Sequence, residues 1–340
     1  MTQSQIGSSK DSNCIEFGYK QLRDATKNFC ESCRLGEGGF GPVYKGKLLH
    51  TIVAIKQLRK ESGNLSTDMA QQQFRTEVNI LTRYRHPNLL TLMGFCAYSD
   101  NFCLIYEFMS NGTLEDALAN SLEKKPELPW EVRMSIACDT ARGLLYLHTA
   151  IPNKPLVHRD VKSANVLLDV SFRAKLGDFG LARPLDKELG TTKRIVGTSG
   201  YIPPEYYRGY VTVKMDSFGF GVILLEIITG KPSYDASRDP NDLISYMDPY
   251  ISNKAIDSTY SIINQVDLTS GRWPTKSIYN LCDIARQCLE VKQRERATIE
   301  KIFPELEKNL CEAAVSTFKL EMQQQQKQRT EKHKMQFVNT

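Results

Sequence analysis

The run Gly36-Glu37-Gly38-Gly39-Phe40-Gly41 constrains this chain most tightly. It fits G-x-G-x-x-G, and Val43 extends it to G-x-G-x-x-G-x-V. Glycines at these steps let the backbone bend sharply and approach phosphate oxygens with no Cβ in the way. A dinucleotide-binding fold would place a strand before the run and a helix directly after it. Here Val43-Tyr44-Lys45-Gly46 reads as another strand, and strand-like residues return at Ile52-Val53-Ala54-Ile55. A glycine loop between two strands is therefore favoured. Alone, the same run is equally a glycine-rich hairpin with no ligand.

The 340 residues allow two domains, or one domain with two lobes, at a typical ~150 residues per domain. The hydrophobic share of 41% and charged share of 24% exclude wholesale disorder and disulfide-scaffold classes. The longest run without Asp, Glu, Lys or Arg is His86–Ser99, 14 residues that include Pro87, so no membrane span is expected. The net charge is +5, and Lys319–Thr340, with five basic and two acidic residues, supplies +3 of it. A nucleic-acid binder would carry a denser basic stripe. The nine cysteines are scattered, and the single C-x-x-C pair, Cys30 and Cys33, has no partner pair or His cluster for zinc. With a polar start and no secretory signal, the chain reads as cytoplasmic, with reduced thiols.

Residues 1–15 are expected to be unordered, and 16–34 to form a helical extension on the spacing of Phe17, Leu22, Ala25 and Phe29. Strands dominate up to Met109, interrupted by a loop at 61–68 and one helix marked by Phe74, Val78 and Leu81. Beyond Leu114 the periods are helical. Met134, Ala137, Cys138, Ala141, Leu144, Leu145 and Leu147 form one long apolar face. Val222–Ile228 reads as apolar all round, which predicts a buried helix. Lys254–Arg272 reads as loop with one helical turn, and 310–340 as a polar tail, helical or disordered.

Chemistry-bearing residues follow in a fixed order. Lys56, in Val53-Ala54-Ile55-Lys56, comes fifteen residues after the last glycine, and Glu77 lies twenty-one further on. A lysine set on a phosphate needs an anion to hold it, and a helix glutamate can supply that. In His158-Arg159-Asp160-Val161-Lys162-Ser163-Ala164-Asn165, Asp160 suits the orientation of an attacking hydroxyl. Lys162 could cover a transferred phosphate, and Asn165 is a hard oxygen donor for Mg²⁺. Asp178, in Asp178-Phe179-Gly180, would be the second metal ligand. Each residue alone is more often a turn residue or a solvated charge. The joint order and spacing carry the signal.

With these motifs in place, residues 35–309 resemble a protein kinase. Pro203-Pro204-Glu205, Asp216 and Arg296 match three scaffold positions: a glutamate paired with a late arginine, and an aspartate that steadies the catalytic loop. The resemblance implies an α+β, two-lobed fold. A small antiparallel N-lobe with one key helix would span 35–109, and a larger, mainly helical C-lobe would span 110–309. It implies ATP and Mg²⁺ as cofactors. Leu35, Gly36, Gly38, Gly41 and Val43 would cover the nucleotide, Ala54 and Leu167 would sandwich adenine, and the backbone at Glu107–Met109 would bind its edge. Lys56 would hold the α/β-phosphates and Glu77 would hold Lys56. Lys162, two residues after Asp160, fits a serine/threonine rather than a tyrosine kinase.

A closer resemblance is to the Pelle and interleukin-1-receptor-associated kinase family, related to plant receptor-like kinases. It rests on Phe17–Phe29, on C-L-I-Y-E-F-M-S-N-G-T-L at 103–114, on H-R-D-V-K-S-A-N-V-L-L-D, on R-I-V-G-T at 194–198, and on Tyr106 at the gatekeeper position. This implies protein substrates, receptor-proximal signalling of the innate-immune type, an adaptor or receptor complex, and self-association for trans-autophosphorylation. Thr191 and Thr192 would be phosphorylated, Arg159 and Arg183 would receive the phosphate, and Thr198 would support Asp160 and Lys162. The competing readings are a pseudokinase scaffold and the cytoplasmic part of a receptor-like kinase. The first would usually have lost Lys56, Asp160 or Asp178.

Overall fold

The computed structural model describes residues 14–38, 41–58, 66–99, 101–122, 128–186, 189–192, 195–252 and 261–315. The N-terminal part contains β1 (Ile15–Glu16), α1 (Tyr19–Ala25), β2 (Arg34–Gly38), β3 (Gly41–Leu48), β4 (Thr51–Gln57), α2 (Ser66–Arg83), β5 (Leu92–Tyr98) and β6 (Asn101–Glu107). Its strands form one sheet in the order β1-β5-β6-β4-β3-β2, antiparallel except where β1 joins β5 in parallel. In β3, buried Tyr44, Gly46 and Leu48 alternate with exposed Lys45 and Lys47, the two-residue period of a strand with one covered face. Phe74 on α2 packs its ring against Phe95 and Phe102, which seats the helix on the sheet.

Three boundaries differ from the sequence expectation. Ile15 is a strand residue, not part of an unordered start, and residues 1–13 lie outside the described part. Gly94 explains the pairing: a Cβ there would sit 2.5 Å from Ile15 O and from the Phe17 ring, so only glycine admits β1. The helical extension is one short helix. Gln21 accepts the Gly18 N–H at 2.8 Å to start it, and Thr26 closes it by donating to Leu22 O at 2.7 Å. Lys27, Asn28 and Phe29 then take positive φ, and Arg34 already belongs to β2. Within the expected loop 61–68, α2 has begun by Ser66.

The C-terminal part contains α3 (Leu114–Leu122), α4 (Trp130–Thr149), β7 (Leu156–Val157), β8 (Val166–Leu168), β9 (Ala174–Leu176), β10 (Arg183–Pro184), β11 (Gly190–Thr191), β12 (Tyr210–Val211), α5 (Lys214–Thr229), α6 (Leu243–Ser252), α7 (Thr275–Cys288) and α8 (299–315). The fold is α+β with two lobes, as expected. The last helix runs past residue 309 into the expected tail, and 316–340 lie outside the described part. Of the expected loop Lys254–Arg272, residues 254–260 lie outside the described part, and the described residues include two 3₁₀ turns, Ile262–Gln265 and Leu268–Ser270.

Every residue of α5 from Met215 to Thr229 is buried. A helix hidden on all sides is a fixed reference for whatever packs on it. A Cβ at Gly219 would meet Val161 O at 2.4 Å, so the loop at 158–165 rests directly on helix backbone. Arg133 of α4 is fully buried. It is satisfied by Leu128 O, Ile227 O and Asp267 Oδ2, the last at 2.6 Å, and so ties α4 to the end of α5.

Candidate active site

A cleft of about 1780 Å³ runs between β2–β4 of the upper lobe and β8–β9 of the lower. Its inner walls are Leu35, Val43, Ala54, Tyr106, Met109 and Leu167, and its outer end reaches Thr192 and Thr198. That exceeds the ~300–1,000 Å³ of a small-ligand pocket and leaves room for a nucleotide and a second reactant. A Cβ at Gly36 would meet nothing within 4 Å, and one at Gly38 only Gly41 O at 3.9 Å. Packing therefore does not require these glycines. The open space fits a ligand approaching the backbone closely. Gly41 has φ 133, which only glycine takes without strain. Glu107 turns its carboxylate to Lys175 Nζ at 2.8 Å, and its N–H is taken by Thr91 O.

Lys56 is buried and sits between two carboxylates, with Nζ 2.9 Å from Asp178 Oδ1 and 3.6 Å from Glu77 Oε2. Burial works against its charge, but Asp178 and Glu77 outweigh that and hold the ammonium above its ordinary range. Burial likewise pulls Asp178 upward, and Lys56 overrides it, so Asp178 stays below the usual carboxylate range. Glu77 ends above it, because burial outweighs Lys56 there. Glu77 Oε1 also accepts the Tyr106 hydroxyl at 2.5 Å and the Phe179 N–H at 3.2 Å. Phe179 is fully buried with its ring edge-on to His158, and this pins Asp178 toward the cleft.

Asp160 is fixed from three directions. Thr198 Oγ1 donates to its Oδ1 at 2.9 Å and accepts from Lys162 Nζ at 2.7 Å. Lys162 Nζ lies 3.1 Å from Asp160 Oδ2. Asn165 Nδ2 donates to Asp160 O at 2.8 Å and to Oδ2 at 2.9 Å. Asn165 Oδ1 and Asp178 Oδ2 are then left without a donor among the described residues. Two hard oxygens with no protein partner fit a divalent cation such as Mg²⁺.

Behind the loop, Asp216 accepts the N–H of His158 (2.8 Å) and of Arg159 (2.9 Å), and His148 Nε2 lies 2.8 Å away. These bonds sustain the positive φ of Arg159, 71°. Glu205 pairs with Arg296 through both oxygens, at 2.5 and 3.0 Å. Arg159 directs its guanidinium to Leu181 O and the Tyr206 hydroxyl, while exposed Arg183 donates to Thr191 O at 2.8 Å. Both arginines border the outer end of the cleft, each with its own partners.

One group is missing from the sequence expectation. Glu226 of α5 is 3% exposed, and its Oε1 accepts from Ser163 Oγ at 3.0 Å and Tyr201 Oη at 2.8 Å. Burial pushes its carboxyl up to about 8. It links the loop at 158–165 to the segment after Thr198. The available signal is a single acid inside Val222–Ile228, a run that otherwise reads as apolar throughout.

The protein kinase domain family matches residues 29–305. The probable serine/threonine-protein kinase PBL26 of Arabidopsis thaliana is 40% identical over 299 residues, covering 85% of this chain and 68% of that protein. Serine/threonine-protein kinase PBS1 of the same plant is 39% identical over 296 residues, covering 84% and 62%. A probable LRR receptor-like serine/threonine-protein kinase, also from Arabidopsis thaliana, is 38% identical over 308 residues. That match covers 89% of this chain and 33% of the relative. The chain belongs to the protein kinase family. Within it, the chain is a protein serine/threonine kinase. The scaffold reading finds no support, since Lys56, Asp160 and Asp178 are present and mutually placed. Among the described residues, no helix is long and apolar enough to cross a membrane.

Proposed function

We propose that this kinase transfers the γ-phosphate of ATP to serine and threonine hydroxyls of protein substrates, in receptor-proximal signalling of the Pelle and interleukin-1-receptor-associated type. The observation that carries the reading is the Asp160–Lys162–Thr198 triangle, set in one cleft with Lys56 and Asp178. The chemistry asks for alignment and charge stabilisation rather than covalent catalysis. Asp160 accepts the proton of the attacking hydroxyl. The new oxygen–phosphorus bond forms as the bond to the β-phosphate breaks, and ADP leaves. Lys162, already held by Asp160 and Thr198, faces the charge that spreads over the transferred group. Lys56, steadied by Glu77, holds the α/β-phosphates. Asn165 and Asp178 would hold Mg²⁺, which when bound neutralises phosphate charge.

Placement near a receptor is supported by the likeness to a kinase named LRR receptor-like. Cytoplasmic location, adaptor or receptor partners, and self-association for trans-autophosphorylation belong to the same proposal. Phosphorylation at Thr191 or Thr192 switches the kinase on. A phosphate brings about −1.5 to −2 charges and three acceptor oxygens, enough to draw in Arg183 and a second arginine. Thr191 is exposed, as a phosphorylation site must be. Incubation with Mg²⁺-ATP followed by phosphosite mapping tests all three parts: turnover, hydroxyl preference and the loop sites.

A further inference from the structure

The pair Cys30 and Cys33 takes no part in the kinase chemistry. We propose that Cys30 and Cys33 are a peroxide-oxidisable dithiol that closes to an intramolecular disulfide at the root of the glycine-rich strand. Their sulfurs lie 3.4 Å apart and neither residue is buried. The Cys33 N–H donates to Cys30 O at 3.0 Å, a hydrogen-bonded turn over three residues. Such a turn keeps its end Cα atoms within ~7 Å, close to the ~4.4–6.8 Å that a disulfide spans. Closure therefore needs little backbone movement. The turn is anchored on one side by Phe29, whose ring packs on Tyr19 and Tyr44. On the other side Arg34 pairs with Glu31 and Glu37 and opens β2.

The two thiols are unlike. Hydrogen bonds with Ser32 Oγ, at 3.1 Å, and with the Cys33 thiol, at 3.4 Å, hold Cys30 below the ordinary thiol range. The hydrogen bond shared with Cys30 is the main cause that keeps Cys33 above that range. Cys30 is thus the attacking sulfur and Cys33 the resolving one. The cross-strand pair Cys96 and Cys103 is buried, and burial pushes those thiols up to about 11 and about 12. Burial also raises Cys138, Cys282 and Cys288 to about 12. Cys311 is exposed but has no other cysteine within its helix 299–315.

In the first step the Cys30 thiolate attacks a peroxide. A sulfur–oxygen bond forms, the oxygen–oxygen bond breaks, and the leaving alkoxide or hydroxide takes a proton. In the second, Cys33 sulfur attacks Cys30 sulfur. The sulfur–sulfur bond forms, the sulfur–oxygen bond breaks, and hydroxide leaves with the Cys33 proton as water. Two thiols and one peroxide give one disulfide, one alcohol or water, and one water. A small-molecule thiol reverses the step by exchange.

Trypsin cuts after Lys27 and Arg34, so one peptide, Asn28–Arg34, carries both cysteines. The whole chain is treated with graded hydrogen peroxide, blocked with N-ethylmaleimide and digested without reductant. The expected result is Asn28–Arg34 unlabelled and lighter by two hydrogens, at doses that leave Cys311 fully labelled, with label restored by dithiothreitol. In Cys33→Ser, dimedone should mark Cys30. In Cys30→Ser, Cys33 should stay unmarked at the same dose. Doubly labelled Asn28–Arg34 at doses that already oxidise Cys311 would overturn the proposal. So would linkage of either cysteine to another peptide in place of the internal bond.

Discussion

Tyr106 Oη donates to Glu77 Oε1 across 2.5 Å, so a residue that lines the cleft also holds the carboxylate that faces Lys56. Both side chains are buried, and neither can exchange this bond for water.

Tyr106→Phe keeps the ring and removes the donor. Glu77 then retains the Phe179 N–H and Lys56. Loss of a hydrogen bond to a buried charged group costs about 1–3 kcal/mol. The denaturant midpoint should fall by that equivalent with the m-value unchanged. An unshifted midpoint would mean that Glu77 does not depend on Tyr106.

Arg296→Met removes one side of a buried ion pair and takes both guanidinium hydrogen bonds from Glu205. Arg296 also donates to Glu290 O and Lys214 O and lies 4.9 Å over Phe218. Breaking such a pair from one side costs about 3–5 kcal/mol. Calorimetry of the variant should show a large drop in Tm. A drop no greater than that of an exposed pair such as Lys276–Glu312, broken in parallel, would contradict this.

Glu226 predicts a slope of stability with pH. Burial raises its folded value to about 8, while the unfolded chain ionises in the ordinary carboxylate range. Between the two, the folded state holds a proton that the unfolded state has lost, so stability falls as pH rises and levels off above about 8. Glu226→Gln removes that slope. Between about pH 5 and about pH 8, unfolding free energies of wild type and variant should diverge at about 1.4 kcal/mol per pH step of one, a few kcal/mol in all. Parallel curves would show that Glu226 is charged throughout.

The candidate site was legible because its residues come in short motifs whose order is set by the chain. Lys56, Asp160, Asn165 and Asp178 needed no tertiary information to be named, and the structure brings all four to one cleft. The links among them were less visible. Tyr201, Ser163 and Glu226 come from three separate segments, and nothing in their local spacing announces a shared hydrogen-bond group. The parallel pairing of β1 with β5 was hidden for the same reason, since it depends on the missing Cβ of Gly94. The helix expected over 16–34 is too long because Phe29 keeps a helical spacing while standing in a left-handed turn. Periodicity reports burial, and Phe29 gains its apolar contact without a helix.

Phosphorylation of the loop makes its own prediction. Wild type preincubated with Mg²⁺-ATP should gain activity, and Thr191→Ala/Thr192→Ala should gain none. Thr198 is a poor site for the switch, because its hydroxyl is already shared between Asp160 and Lys162. Equal activation of the double variant and wild type would place the switch elsewhere.

Phosphoryl transfer from ATP is the proposed work of the Lys56–Asp178–Asp160 site. Its most direct test is phosphate incorporation from labelled ATP with Mg²⁺, followed by phosphoamino-acid analysis, on wild type, Lys56→Met and Asp178→Asn. Circular dichroism first confirms that each variant is folded. Wild type should yield phosphoserine and phosphothreonine, and both variants should fall by at least ~10²-fold, since the catalysis is electrostatic and positional. Wild-type rates in either folded variant would contradict the mechanism.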